Sequence, residues 1–269
     1  MVRRHLNPEV VWKSDRVHLS GLAVTVGYTR RTIMNDIRQD TIMKLMEHPM
    51  RSDDTFQFRC RQCGSCCRDR VDILLSPFDL CRMAKELGEP LHQVFDKYGY
   101  LYVGGMSKVP LVSLKMREDN GQCYFLSEDN RCSIQMNKPA VCALFPLGRC
   151  ASRKEDGTEI FYIVQPTECG ERDECYTPRE WMGEFKLEES EEWFRIWQDV
   201  VMAISERINE VLPMLPEGVV NDILSGMGGI LYLRYDVDKP LIPQVKENGE
   251  HVLRMISMLE DTVKSFRAR

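Results

Sequence analysis

The segment Cys60-Arg-Gln-Cys63-Gly64-Ser-Cys66-Cys67 packs four of the chain's eleven cysteines into eight residues. Two residues between cysteines let both sulfurs converge on one ion, and Gly64, directly after the second cysteine, permits the left-handed backbone of a metal-binding knuckle. A C-x2-C-x2-C run equally matches the first three ligands of a ferredoxin-type cluster. The spacing therefore leaves zinc and an iron-sulfur cluster, [4Fe-4S] included, both open. Cys66 and Cys67 are neighbours. In extended backbone their side chains would face opposite ways, so one of them is expected to serve another centre.

Four further thiols, Cys123, Cys132, Cys142 and Cys169, lie downstream. The candidate metal ligands are thus Cys60, Cys63, Cys66, Cys67, Cys123, Cys132, Cys142 and Cys169, enough for one centre or two. Arg59, Arg61, Arg68 and Arg70 flank the first group, where cations would favour thiolate over thiol, unless they form a solvated face. Cys81 reads as packing, and Cys150 and Cys175 as reserve ligands. His5, His18, His48, His92 and His251 form no H-E-x-x-H or H-x-x-E-H spacing.

These thiols need an element framework. Ser76-Pro77 is an N-cap and first-turn pair for a helix running to about Leu87 with Gly88 as its stop, and Pro90 opens a second helix through Tyr98. Val109 to Met116 alternates like a strand, and Asn120-Gly121 signals a turn. Cys123 to Leu126 and Cys132 to Ile134 read as the arms of a hairpin, and Phe161 to Val164 as another strand. An amphipathic helix is expected over Arg30–Met46. Trp193, Trp197, Val200, Ile204, Ile208 and Val211 mark a long one near the end, and Val252 to Phe266 a last one. The expected class is α+β: a small Cys-rich module (56–176) of short strands and hairpins, packed with a helical N-terminal segment (1–55) and a helical C-terminal region (177–269).

Composition narrows the setting. The chain has 269 residues and a formal net charge of −5. Residues 1–51 hold nine Lys/Arg against five Asp/Glu, and residues 168–210 thirteen Asp/Glu against five Lys/Arg. No basic run is dense enough to make nucleic acid an expected partner. No apolar run is long enough to span a membrane, and no secretory leader is evident, so a cytoplasmic protein is expected. Reduced, clustered cysteines in that compartment point to metal or redox chemistry rather than structural disulfides.

The motif string resembles the YkgJ-type cysteine-cluster family, a zinc- or iron-chelating CxxCxxCC domain. The residues that carry the resemblance are Cys60 to Cys67, Cys123-Tyr-Phe-Leu126, Cys132-Ser-Ile134, Lys138-Pro139-Ala-Val-Cys142-Ala143-Leu-Phe145-Pro146 and Cys169-Gly170. Lys138 and Ala143 stand where the family favours arginine. The resemblance implies a metal module holding an ion or cluster in a structural or electron-carrying role, with a redox or other protein as partner. It also implies an alternative, since flagellin lysine methylases share the module: an iron-sulfur protein-lysine methyltransferase using S-adenosylmethionine. The chain has neither a G-x-G-x-x-G turn nor the C-x3-C-x2-C spacing of radical enzymes, and Gly226-Met-Gly-Gly229 is too short for a nucleotide loop. A metal chaperone or storage protein is a third reading.

Overall fold

The computed structural model describes residues 15–19, 22–26, 49–70, 73–155 and 157–267. Two strands, β1 (Asp15–Leu19) and β2 (Leu22–Val26), pair as an antiparallel hairpin with Leu19 opposite Leu22. They depart from the helical segment expected over residues 1–55, because Val17, Leu19, Leu22, Val24 and Val26 follow the two-residue period of a strand. The helix expected over Arg30–Met46 lies outside the described residues.

The cysteine-bearing part follows with β3 (Phe56–Arg59), a 3-10 turn at Ser65–Cys67, β4 (Leu74–Leu75), α1 (Pro77–Leu87), α2 (Leu91–Tyr98), β5 (Gly99–Val103) and β6 (Pro110–Leu114). It continues through α3 (Ala140–Leu144), β7 (Leu147–Lys154), β8 (Gly157–Val164), β9 (Glu171–Tyr176) and α4 (Pro178–Gly183). Three long helices close the chain: α5 (Ser190–Val211), α6 (Glu217–Leu233) and α7 (Leu241–Arg267). The sheets are small and antiparallel, in the orders β3-β9, β4-β6-β5 and β7-β8. The α+β class is the one expected from the sequence.

Local signals account for the first helices. Ser76 Oγ accepts the Asp79 N–H while Asp79 accepts the Ser76 N–H, a reciprocal capping box, and Gly88 ends α1 in the left-handed region at φ 62°. Tertiary burial decides the last ones. Gly226, Gly228 and Gly229 weaken the helix propensity of α6. It forms nonetheless because Leu224, Met227, Leu231 and Tyr232 are buried.

Trp193, Trp197, Ile204, Ile208 and Val211 of α5 meet Val252 and Ile256 of α7 in a core shared with Leu80, Met83, Val94 and Val112. Each fully buried aliphatic side chain there contributes about 1.5–3 kcal/mol. A second core, including Phe56, Phe58, Leu147, Tyr162 and Trp181, underlies β3, β7 and α4. Among the described residues no helix is long and apolar enough to cross a membrane.

Candidate metal centre

The knuckle is built on backbone that only certain residues adopt. Gln62 and Gly64 have φ 52° and 70°, and Cys67 N–H donates to Gly64 O at 3.0 Å, winding Ser65–Cys67 into the 3-10 turn. This corrects the expectation drawn from extended backbone. On a helical turn adjacent side chains do not oppose each other, and the Cys66 and Cys67 sulfurs lie 3.9 Å apart, bordering the same space.

Long-range contacts bring in Cys123, Cys169 and Cys142. Cys123 N–H donates to Cys67 O at 2.8 Å and Asp69 N–H to Gly121 O at 2.9 Å, pinning the knuckle to the 121–123 segment. Pairing of β3 with β9, Arg59 opposite Glu171, sets Cys169 beside the knuckle, with its sulfur 3.4 Å from that of Cys63. Gly170, at φ 80°, fits under Phe58, since a Cβ would fall 2.2 Å from that ring. Cys142 rides on α3, whose first N–H, that of Ala140, donates to buried Asp79 Oδ1 at 2.7 Å. One carboxylate therefore fixes the starts of both α1 and α3.

The hairpin expected for Cys123 and Cys132 is reduced to one bridge, Leu126 with Cys132. The chain bends early, because Leu126 N–H donates back to Cys123 O, and Ser127 Oγ closes the following turn on Asp129 and Arg131.

Cys60, Cys63, Cys66, Cys67, Cys123, Cys132, Cys142 and Cys169 all line a single cavity of about 280 Å³. Cys60 and Cys63 stand at its exposed mouth and Cys123 is buried. The sulfurs approach in pairs: among the described residues no three His, Cys, Asp or Glu side chains are set at single-ion distances. The three remaining thiols lie elsewhere. Cys81 is buried in the main core, Cys150 is half-buried on β7 opposite Phe161, and Cys175 is exposed on β9 opposite Gln57.

Thiol acidity differs sharply between neighbours. A hydrogen bond with the Ser65 hydroxyl, helped by the Ser65 backbone and the Cys169 thiol, lowers Cys63 to about 7. Burial pushes Cys169 up to about 12 and raises Cys123, Cys132 and Cys142. Cys66 is raised chiefly by its hydrogen bond with Cys67, then by burial. Protons held on the inner thiols must leave before a metal binds, so cations near them matter.

Among the lining residues Arg70, Arg131 and Lys138 are cationic. Lys138 sits 4.1 Å over the Phe185 ring and favours the thiolate forms of Cys66, Cys132 and Cys142. The other flanking arginines are turned elsewhere. Arg59 pairs with Glu171, Asp173 and Glu174, while Arg68 donates to Asn130 and to Cys63 O, and Arg61 is exposed outside the lining. Spacing could not identify the Lys138 contribution, because Lys138 reaches Cys66 only through the fold. Ala143, the second departure from the family pattern, is buried beneath α4, where its carbonyl accepts the Trp181 indole N–H at 3.1 Å. An arginine side chain has no room there.

Comparison with known proteins bears on this same segment. Residues 59–170 match the family model CxxCxxCC, described as "Putative zinc- or iron-chelating domain". The match spans the motifs from Cys60 to Gly170 and leaves the remaining helices outside it. No curated protein and no solved structure matches the chain.

Proposed function

We propose that residues 59–170 hold an iron-sulfur centre bound through cysteine thiolates, in a structural or electron-carrying role, with a redox or client protein as partner. The observation that carries this reading is the convergence of eight thiols on one cavity of about 280 Å³. A lone zinc ion is enclosed by four sulfurs nearly in contact and needs no such space, whereas a sulfide-bridged cluster spreads its ligands around a larger volume. The donor set fits the group. Thiolates from Cys60, Cys63, Cys66, Cys67, Cys123, Cys132, Cys142 and Cys169 are available to hold it. Arg70, Arg131 and Lys138 offset their negative charge. Residues far apart in sequence supply the ligands, so binding stabilises the fold that assembles them.

An anaerobic preparation, with its absorption spectrum and its iron, sulfide and zinc content, tests the proposal. Brown protein containing iron and acid-labile sulfide is expected. Colourless protein loaded with zinc alone would overturn the iron-sulfur assignment and leave a zinc-thiolate module.

One observation favours a second reading, methyl transfer to a protein lysine. A cavity of about 340 Å³ bordered by Trp193, Trp197 and Tyr232 adjoins the cysteine cavity, with Val141 lining both. Saturable heat on titrating the metal-loaded protein with S-adenosylmethionine supports that reading, and no heat at millimolar ligand removes it.

A further inference from the structure

The second cavity has a chemical character of its own. Aromatic side chains make much of its wall: Phe78 from α1, Trp193, Phe194 and Trp197 from α5, and Tyr232 from α6. The Phe78 and Trp193 rings lie 5.0 Å apart, and Trp197 meets Tyr232 edge-on at 5.4 Å. Such a wall accepts a flat apolar body.

Arg149, from β7, also borders this cavity. Its guanidinium packs 4.4 Å over the Phe194 ring, donates from Nη1 to Ser190 Oγ at 3.0 Å and, more weakly, to Met182 Sδ at 4.0 Å, and is hydrogen-bonded to the Tyr162 phenol. Nε is fully enclosed and has no hydrogen-bond partner. The nearby acids do not satisfy it. Asp79 spends its oxygens on Ser76 and Ala140, and Glu191 acts only as a charge at longer range, beside the Tyr162 phenol. Burial lowers the Arg149 pKa, yet a guanidinium remains protonated. A purely structural staple from β7 to its neighbours would leave no buried donor unmatched. The structure instead sets a five-donor cation, incompletely paired, beside open apolar space, where an unpaired charge is costly and a carboxylate would be held strongly.

We propose that this cavity binds a small organic carboxylate, its planar apolar body lodged among Phe78, Trp193 and Trp197 and its carboxylate held by Arg149 and Ser190. The proposal rests on this cavity and is independent of the metal assignment, and it gives to a carboxylate the space that the methyl-transfer reading gives to S-adenosylmethionine.

The test titrates the full-length, metal-loaded protein with 2-naphthoate and with 2-naphthol, a neutral compound of similar size, by calorimetry and tryptophan emission. Naphthoate is expected to bind about 10- to 100-fold more tightly, the range that one charge-assisted hydrogen-bonded pair supplies. Arg149→Gln should abolish that preference while keeping naphthol binding, with metal content and melting temperature measured on the same samples. Val201→Trp, which fills the cavity from α5, should lose both ligands. Equal affinities, no binding of either compound, or a preference that survives Arg149→Gln would overturn the proposal. If Arg149→Gln does not fold, the wild-type preference and its loss in Val201→Trp decide the question. Metal content, read separately, shows whether the iron-sulfur reading stands.

Discussion

Replacing Asp79 by alanine removes a carboxylate that serves two helices at once. Its Oδ2 accepts the Ser76 N–H at 2.8 Å and the Ser76 hydroxyl at 2.6 Å, and its Oδ1 accepts the Ala140 N–H at 2.7 Å. Losing its half of the capping box costs about 1 kcal/mol. Leaving the Ala140 N–H buried without a partner costs about 1–3 kcal/mol more. The expected loss is therefore about 2–4 kcal/mol, or roughly 5–15 °C in melting temperature for a chain of this size. Asp79→Asn separates the two parts. Its carbonyl can still accept from Ala140, but its amide nitrogen cannot accept from Ser76, so it should lose only about 1 kcal/mol. Guanidinium unfolding of both variants, metal-loaded and metal-stripped, measures the series. Because α3 carries Cys142, the alanine variant should also hold metal less tightly than the asparagine variant. An alanine variant within about 0.5 kcal/mol of wild type, or an asparagine variant as damaged as the alanine one, would refute the double-cap argument.

In the reduced, metal-free protein, alkylation of Cys63 should rise with a midpoint near its pKa of about 7, while Cys81 and Cys169, held up at about 12, stay unmodified to pH 9. The depressed Cys63 value favours the folded state above its ordinary value of 9.0, and this contribution is lost as pH falls through about 7. Ser65→Ala should move the midpoint upward, and mass mapping showing no selective reaction at Cys63 near neutral pH would contradict the hydrogen-bond account. Gly170→Ala, at φ 80° and with its Cβ 2.2 Å from the Phe58 ring, should cost clearly more than Gly88→Ala, which at φ 62° meets open space. About 1 kcal/mol is expected at Gly88 and about 2–4 kcal/mol at Gly170, and equal losses in chemical denaturation would show that Phe58 yields freely.

The sequence by itself marked the eight thiols, because short cysteine spacing and motif order are local properties. It also marked α1, from Ser76-Pro77 to Gly88, because helix caps are written in neighbouring residues. It placed α5 as well, since a buried helical face repeats along one segment. Other features depend on residues that meet only in the folded chain. The 3-10 turn that sets Cys66 beside Cys67 follows from the backbone geometry around Gly64. The cations that line the cavity are Lys138, Arg131 and, of the four arginines flanking the knuckle, Arg70 alone, because Arg59 is claimed by acids on β9. Helix α6 forms despite its glycines, since burial outweighs propensity there. Arg149 carries no sequence signal at all: its incomplete pairing exists only because β7 brings it against Phe194 and Ser190. Local codes fix elements and ligand types, while the direction of a charge and the shape of a cavity are set by contacts across more than a hundred residues, such as that of Cys63 with Cys169.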